Sequence, residues 1–297
     1  MKSIIITCAM LVLSLNSFCQ KTGRSPIDST FSFVLMSDIH IKPEVTERFQ
    51  RAIDTVNKLR PDFVMAAGDL VYDVMRGNPG HADSLFNLYK KMSAGIRSKV
   101  YNCIGNHELF GIYPESDVDS THPGYKYGMY EKHIGKTYYS FDHKGWHFIV
   151  LNSIDVNTEK AYFGGIDKKQ LEWLKQDIAG VDKKTPVALT VHIPFLSSFN
   201  QLYGSKKPLS SDQPNGVLIF KGNEVLDLFS DYNLRLVMQG HVHWIEDVFV
   251  NNKTHFLTAG SVAGRPSWSG TRNGERGFME VKVKGEEVSW RYVEYEK

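Results

Sequence analysis

The sequence predicts an α/β fold in which two mixed sheets pack face to face, with helices outside. Three observations carry this. Five short apolar runs have the length and the β-branched or aromatic composition of strands. Helical periodicity lies between several of them. Three further stretches read as hairpins, which adds antiparallel strands to the alternating units.

Taken in order, the first run is FSFVLM (31–36). PEVTERFQRAIDTVNKLR (43–60) follows, with Val45, Phe49, Ile53, Val56 and Leu59 on one helical face. The second and third runs are DFVMAA (62–67) and VYNCI (100–104). TYYSFDHKGWHFIVLNS (137–153) has two β-rich halves about His143–Lys144–Gly145. DKKQLEWLKQDI (167–178) repeats the helical pattern with Leu171, Leu174 and Ile178. The fourth run is VALTV (187–191), NEVLDLFSDY (223–232) is a shorter helical pattern, and LRLVM (234–238) is the fifth run. Two hairpins close the chain, turning at Asn251–Asn252 and at Lys284–Gly285–Glu286. There is no internal repeat and no linker, so residues 26–297 are expected to form one domain.

Bulk composition is that of an ordinary globular protein, 42 % apolar and 23 % charged over 297 residues. A core of this size needs no disulfides. The net charge of +2 gives no sign of a nucleic-acid surface. Residues 1–19 read as a signal peptide: Lys2, an apolar stretch from Ile4 to Leu15, then Ser17 and Cys19 at −3 and −1. The rival reading makes Cys19 a lipidated anchor, which Phe18 fits poorly. Either way the protein is expected to be exported, periplasmic or secreted, with no membrane-spanning helix after removal of the signal. Cys103 would then be the one remaining thiol, a small buried hydrophobe.

Chemistry gathers where the five runs end. SDIHI brings Asp38 and His40, GDLVYD brings Asp69, and GNHE brings Asn106, His107 and Glu108. HIPF brings His192, and GHVHW brings His241 and His243. Each motif alone is common. All five, each just past a strand, make a metal site, because ligands collect at the carboxyl ends of strands in such folds. Carboxylates, imidazoles and one carboxamide, without thiolate, suit Mn, Fe or Zn. The ligand groups exceed what one tetrahedral ion needs, so two ions sharing a carboxylate fit better.

The ordered set D-x-H, GD, GNHE, H, GHxH resembles the calcineurin-like metallophosphoesterases, from about Phe31 to about Val283. The resemblance implies a four-layer α/β/β/α sandwich. It implies one metal on Asp38, His40 and His243, a second on Asn106, His192 and His241, and Asp69 bridging them. His107 would hydrogen-bond the phosphate and protonate the leaving oxygen, and the nucleophile would be a metal-bound hydroxide. The activity implied is hydrolysis of a small phosphate ester. A phosphodiester is the leading expectation, with an acid-phosphatase-like monoesterase as the alternative. A non-catalytic metal-containing binding protein is the alternative of another class, and no protein partner is inferable.

Other residues have looser assignments. Tyr72 stands where purple acid phosphatases carry a tyrosine iron ligand. Because His40 is present, Tyr72 is read as lying behind the ligands or in the wall of the site. Asp73 and Glu108 are candidates to support His107. Arg265, in the glycine-rich stretch 259–277, is a candidate for holding a second phosphate or a carboxylate. His81, His122, His133, His143, His147 and His255 match no motif and are expected to serve packing or the surface.

Overall fold

The computed structural model describes residues 29–203, 214–264 and 276–296. The signal-peptide reading of 1–19, Cys19 within it, and Arg265 fall outside the described residues.

Along the chain run β1 (Thr30–Met36), α1 (Thr46–Leu59), β2 (Phe63–Ala67), α2 (Pro79–Ser93), β3 (Lys99–Cys103), α3 (Gly128–His133), β4 (Tyr139–His143) and β5 (Trp146–Val150). There follow β6 (Ile154–Val156), β7 (Tyr162–Gly164), α4 (Lys168–Ala179), β8 (Pro186–Thr190), α5 (Phe199–Tyr203) and α6 (Gly222–Asp227). Last come β9 (Asn233–Gln239), β10 (Glu246–Val250), β11 (Thr254–Thr258), β12 (Gly277–Lys284) and β13 (Glu287–Glu294).

One sheet has the order β13-β12-β1-β2-β3, the other β10-β11-β9-β8-β5-β4. Strands β1, β2 and β3 are parallel, as are β5, β8, β9 and β11, and the three hairpins supply the antiparallel edges. A small ladder, β6 with β7, stands apart.

The side-chain period of two explains the layering. Phe33, Leu35, Phe63, Met65 and Cys103 from the first sheet meet Phe148, Val150, Leu236 and Met238 from the second in an inner core. The alternate residues, Val34, Met36, Val64, Ile149, Leu189 and Val237, face outward into a second core with the helices. Helix α1 covers the first sheet with Phe49, Ala52, Ile53 and Val56, and α4 contributes Leu174 and Ile178. The arrangement is the expected four-layer sandwich.

Several elements depart from the sequence reading, the short helices α3 and α5 and the β6–β7 ladder among them. Helix α2 was not anticipated, although its signals are conventional: Asn78 accepts from the backbone N–H of His81, Pro79 opens the first turn, and Ala82, Leu85, Phe86 and Tyr89 are buried. The pattern at 223–232 is helical only in α6, because the chain then breaks into tight turns that seat Phe229 and Tyr232 in the core. Among the described residues, no helix is long and apolar enough to cross a membrane.

Candidate metal centre

The carboxyl ends of β1, β2 and β3 in one sheet and of β8 and β9 in the other meet along one edge of the sandwich. The turns that follow carry the candidate ligands. They are tight: Asp38, His40, Asp69, His241 and His243 all have positive φ, between 48° and 72°. Left-handed backbone at non-glycine residues costs energy and persists where surroundings enforce it, commonly at functional sites.

Three groups of donor atoms result, each lying within 4.8 Å of one another: Asp38 with His40 and His243, His40 with Asp69 and His107, and Asp69 with His192 and His241. In the first, Nε2 of His40 and Nε2 of His243 stand 3.1 Å apart, and Oδ1 of Asp38 faces His243 at 3.1 Å. On the other side, Nε2 of His192 lies 3.2 Å from Oδ1 of Asn106 and 3.2 Å from Oδ2 of Asp69. That same Oδ2 is 3.6 Å from Nε2 of His40, so Asp69 stands between the two groups. All seven candidate ligands are buried, and His107 alone of the set keeps about a quarter of its side chain exposed.

The tautomers are set from behind. Nδ1 of His192 donates to the Ala67 carbonyl at 2.7 Å, and Nε2 of His241 to the Gly216 carbonyl at 2.6 Å. In the neutral ring each of these bonds leaves the other nitrogen as the acceptor that a metal ligand must offer. Nδ1 of His107 meets the Tyr72 carbonyl, which leaves Nε2 facing Asp69 Oδ2 at 3.9 Å. The support of His107 is thus a backbone carbonyl, not a carboxylate. Asp73 instead serves the Met75 amide and Arg76.

Glu108 is fully buried and works on the backbone. Its oxygens accept from the amides of Asp69 at 3.0 Å, Val71 at 2.9 Å and Gly105 at 2.6 Å, which ties the GD turn to the GNHE turn. The sequence offered no signal for this partnership, because the two turns are 39 residues apart.

Electrostatics favour cations here. Burial works against the Asp38 carboxylate, but His243 beside it holds it at about 2. Burial likewise opposes Asp69, yet His192 and His107 keep it well below the usual range. His40 is pushed down to about 3 by burial and by His107, and His241 to about 3 by burial and by His192. His192 runs the other way: burial lowers it, but Asp69 outweighs burial and raises it to about 9. An uncompensated buried carboxylate costs several kcal/mol. No lysine or arginine pairs with Asp38 or Asp69 among the described residues, so imidazoles alone face these two buried carboxylates. Two converging donor groups around a shared carboxylate fit a pair of bound metal ions.

Close backbone approach is part of the construction. A Cβ on Gly105 would lie 2.2 Å from the Asp69 amide nitrogen and 2.2 Å from its Oδ1. Gly105→Ala must therefore push the two turns apart. Overpacking of this kind should cost roughly 1–3 kcal/mol. Urea denaturation checks it against Gly80→Ala, whose nearest neighbour would be an ordinary contact at 3.6 Å. Equal stability of the two variants would mean the turns yield freely.

The model of the calcineurin-like phosphoesterase family matches residues 31–244. The chain belongs to the calcineurin-like phosphoesterase family. Among calcineurin-like relatives, Purple acid phosphatase 15 of Arabidopsis thaliana is 23 % identical over 218 residues, 65 % of this chain and 37 % of that protein. The fold is shared with a purple acid phosphatase from yellow lupin (TM-score 0.62, 16 % identity, 91 % of this chain and 52 % of that one). It is shared also with a dimetal phosphatase from Danio rerio (TM-score 0.57, 15 % identity, 91 % of this chain and 100 % of that one). The chain spans less than half the length of the curated relatives it matches. Tyr72 differs from a buried ligand: the residue is 46 % exposed and lines the cleft beside His40, His107 and His243.

Proposed function

We propose that this chain is a two-metal hydrolase of phosphomonoesters. The observation that carries the reading is the convergence of seven buried donors beside His107, whose Nε2 faces them. Asp38, His40 and His243 would hold one ion, Asn106, His192 and His241 the other, with Asp69 shared. Bound ions of this kind supply positive charge that polarises phosphoryl oxygens and makes water acidic enough to attack near neutral pH. His107, steadied by the Tyr72 carbonyl, turns its Nε2 towards the donors, the position from which an imidazolium would protonate the leaving oxygen.

Cleft shape supports a monoester. A cavity of about 530 Å³ opens beside His40, His107 and His243. His192 and His241 are fully buried, His241 beneath the Gly216 carbonyl and the Tyr162 ring. One-sided access suits a substrate with one organic substituent. The phosphatase names of the relatives point the same way. The diester expected from sequence is the competing reading. Export, resting on residues 1–19, belongs to this proposal as well.

Protein stripped of metal and reloaded with Mn, Zn or Fe should hydrolyse p-nitrophenyl phosphate at least tenfold better than bis-p-nitrophenyl phosphate. The reverse ratio would make it a diesterase. No turnover of either by folded, metal-loaded protein would favour a binding role.

Loading should also move protons. Metal-free His192, held at about 9, is protonated at pH 7, and a metal at its Nε2 must displace that proton. Apparent affinity should therefore rise with pH up to about 9. The raised value also lends the metal-free fold stability that is complete below the ordinary imidazole pKa of about 6.5. That stability is lost as pH rises through about 9. Calorimetry in buffers of differing ionisation enthalpy should show about one proton released from His192 at pH 7. Release of none would mean His192 is already neutral.

A further inference from the structure

Beyond the phosphate-holding residues, the cleft has a rim whose charges are unequally satisfied. Lys42, Arg48 and Arg276 line it, with Glu44 as the acid among the described lining residues. The two arginines are engaged. Arg48 donates to Glu296 at 3.1 Å and to the Ala263 carbonyl at 2.9 Å. Arg276 donates to Glu296 at 3.2 Å and to the Gly264 carbonyl at 3.2 Å. Lys42 is different. Its ammonium sits 3.9 Å over the centroid of the Tyr72 ring, and no carboxylate among the described residues, Glu44 included, pairs with it. Tyr72 in turn stands 6.4 Å, centroid to centroid, from His107. Ammonium, phenol ring and imidazole therefore follow one another along one wall of the cleft.

That sequence has a direction. His107 marks the leaving oxygen, so Tyr72 and Lys42 mark where the leaving group extends. A half-exposed tyrosine offers an apolar face, and the cation over it stays available to an anion because cation–π attraction leaves its N–H donors free. We propose that Lys42 and Tyr72 form a subsite for a second anionic group, carboxylate or phosphate, carried by the leaving group of the substrate. The inference rests on the hydrolase reading given above and narrows its substrate class. Lys42 binds the ester alike in ground and transition states, so its effect falls on KM more than on kcat.

The test compares phosphate release from phenyl phosphate, 4-carboxyphenyl phosphate and 1,4-phenylene bisphosphate by the metal-loaded full chain and its Lys42→Met and Lys42→Glu variants. One charge-assisted contact at a solvated rim should give the wild type a roughly five- to tenfold preference, in kcat/KM, for an anionic leaving group over phenyl phosphate. The preferred arm identifies carboxylate or phosphate. Lys42→Met should bring the ratio near one, and Lys42→Glu should invert it. Calorimetric binding of benzylphosphonate and 4-carboxybenzylphosphonate reads the same discrimination without turnover. Absence of preference in the wild type, or its persistence in Lys42→Met, overturns the subsite. If none of the three esters is turned over, the hydrolase reading fails by itself, and the phosphonate titrations still decide the role of Lys42: the same preference, lost in Lys42→Met, upholds the subsite, and equal binding overturns it.

Discussion

Asp69→Asn should strip the protein of both metals and lower turnover by about 10³-fold or more, the largest effect expected of any single substitution. Its Oδ2 lies 3.2 Å from His192 and 3.6 Å from His40, so both donor groups lose their common anion at once. Two-metal sites derive several kcal/mol of charge stabilisation from their ions, and each 1.36 kcal/mol is tenfold in rate. The substitution is nearly isosteric. Asparagine Oδ1 can still accept from the His107 amide, now 2.9 Å from Asp69 Oδ1, so the turn need not move. Loss of metal should therefore occur in folded protein. Elemental analysis after dialysis, alongside circular dichroism, is the measurement. Full metal occupancy in Asp69→Asn would remove Asp69 from the bridging position.

His107→Ala should behave in the opposite way towards metal. The ring stands beside the donors and is partly exposed, and its backbone amide, which bonds Asp69, survives the substitution. Both ions should remain. Turnover should fall by roughly 10²–10⁴-fold, the usual contribution of a positioned proton donor. The deficit should depend on the leaving group. A nitrophenolate leaves without protonation and should suffer least, whereas an alkoxide from an alkyl phosphate should suffer most. Measuring kcat for p-nitrophenyl phosphate and an alkyl phosphate separates the cases. Equal losses for both would argue that His107 holds the phosphate and transfers no proton. No loss for either would remove His107 from the chemistry.

Much of this architecture was legible along the chain. The five apolar runs became β1, β2, β3, β8 and β9 within a residue or two, because short β-rich runs bounded by Gly, Asp and Asn are strong local signals. The hairpin turns were legible for the same reason: Asn251 and Asn252 adopt φ of 53° and 51°, and Gly285 adopts 63°. Helix α2 has equally local signals, the Asn78 cap and Pro79 in its first turn. The candidate donors could be read because each sits immediately after a strand, where the backbone must turn and the side chain must face the sheet edge.

Sequence by itself therefore determined the strands, their alternation with helices, and the residues at their carboxyl ends, since these follow from propensity and period over a few neighbouring positions. Only the tertiary structure decided the relations between distant turns. It set the Tyr72 carbonyl behind His107, Glu108 on the amides of two separate turns, and Lys42 over Tyr72. It also made His192 a strong base and its neighbour His241 a weak one, though both are histidines at strand ends. The reason is physical. Hydrogen bonds, burial and charge act across a few ångströms of space, and no pattern in the chain records which residues folding will bring within that range.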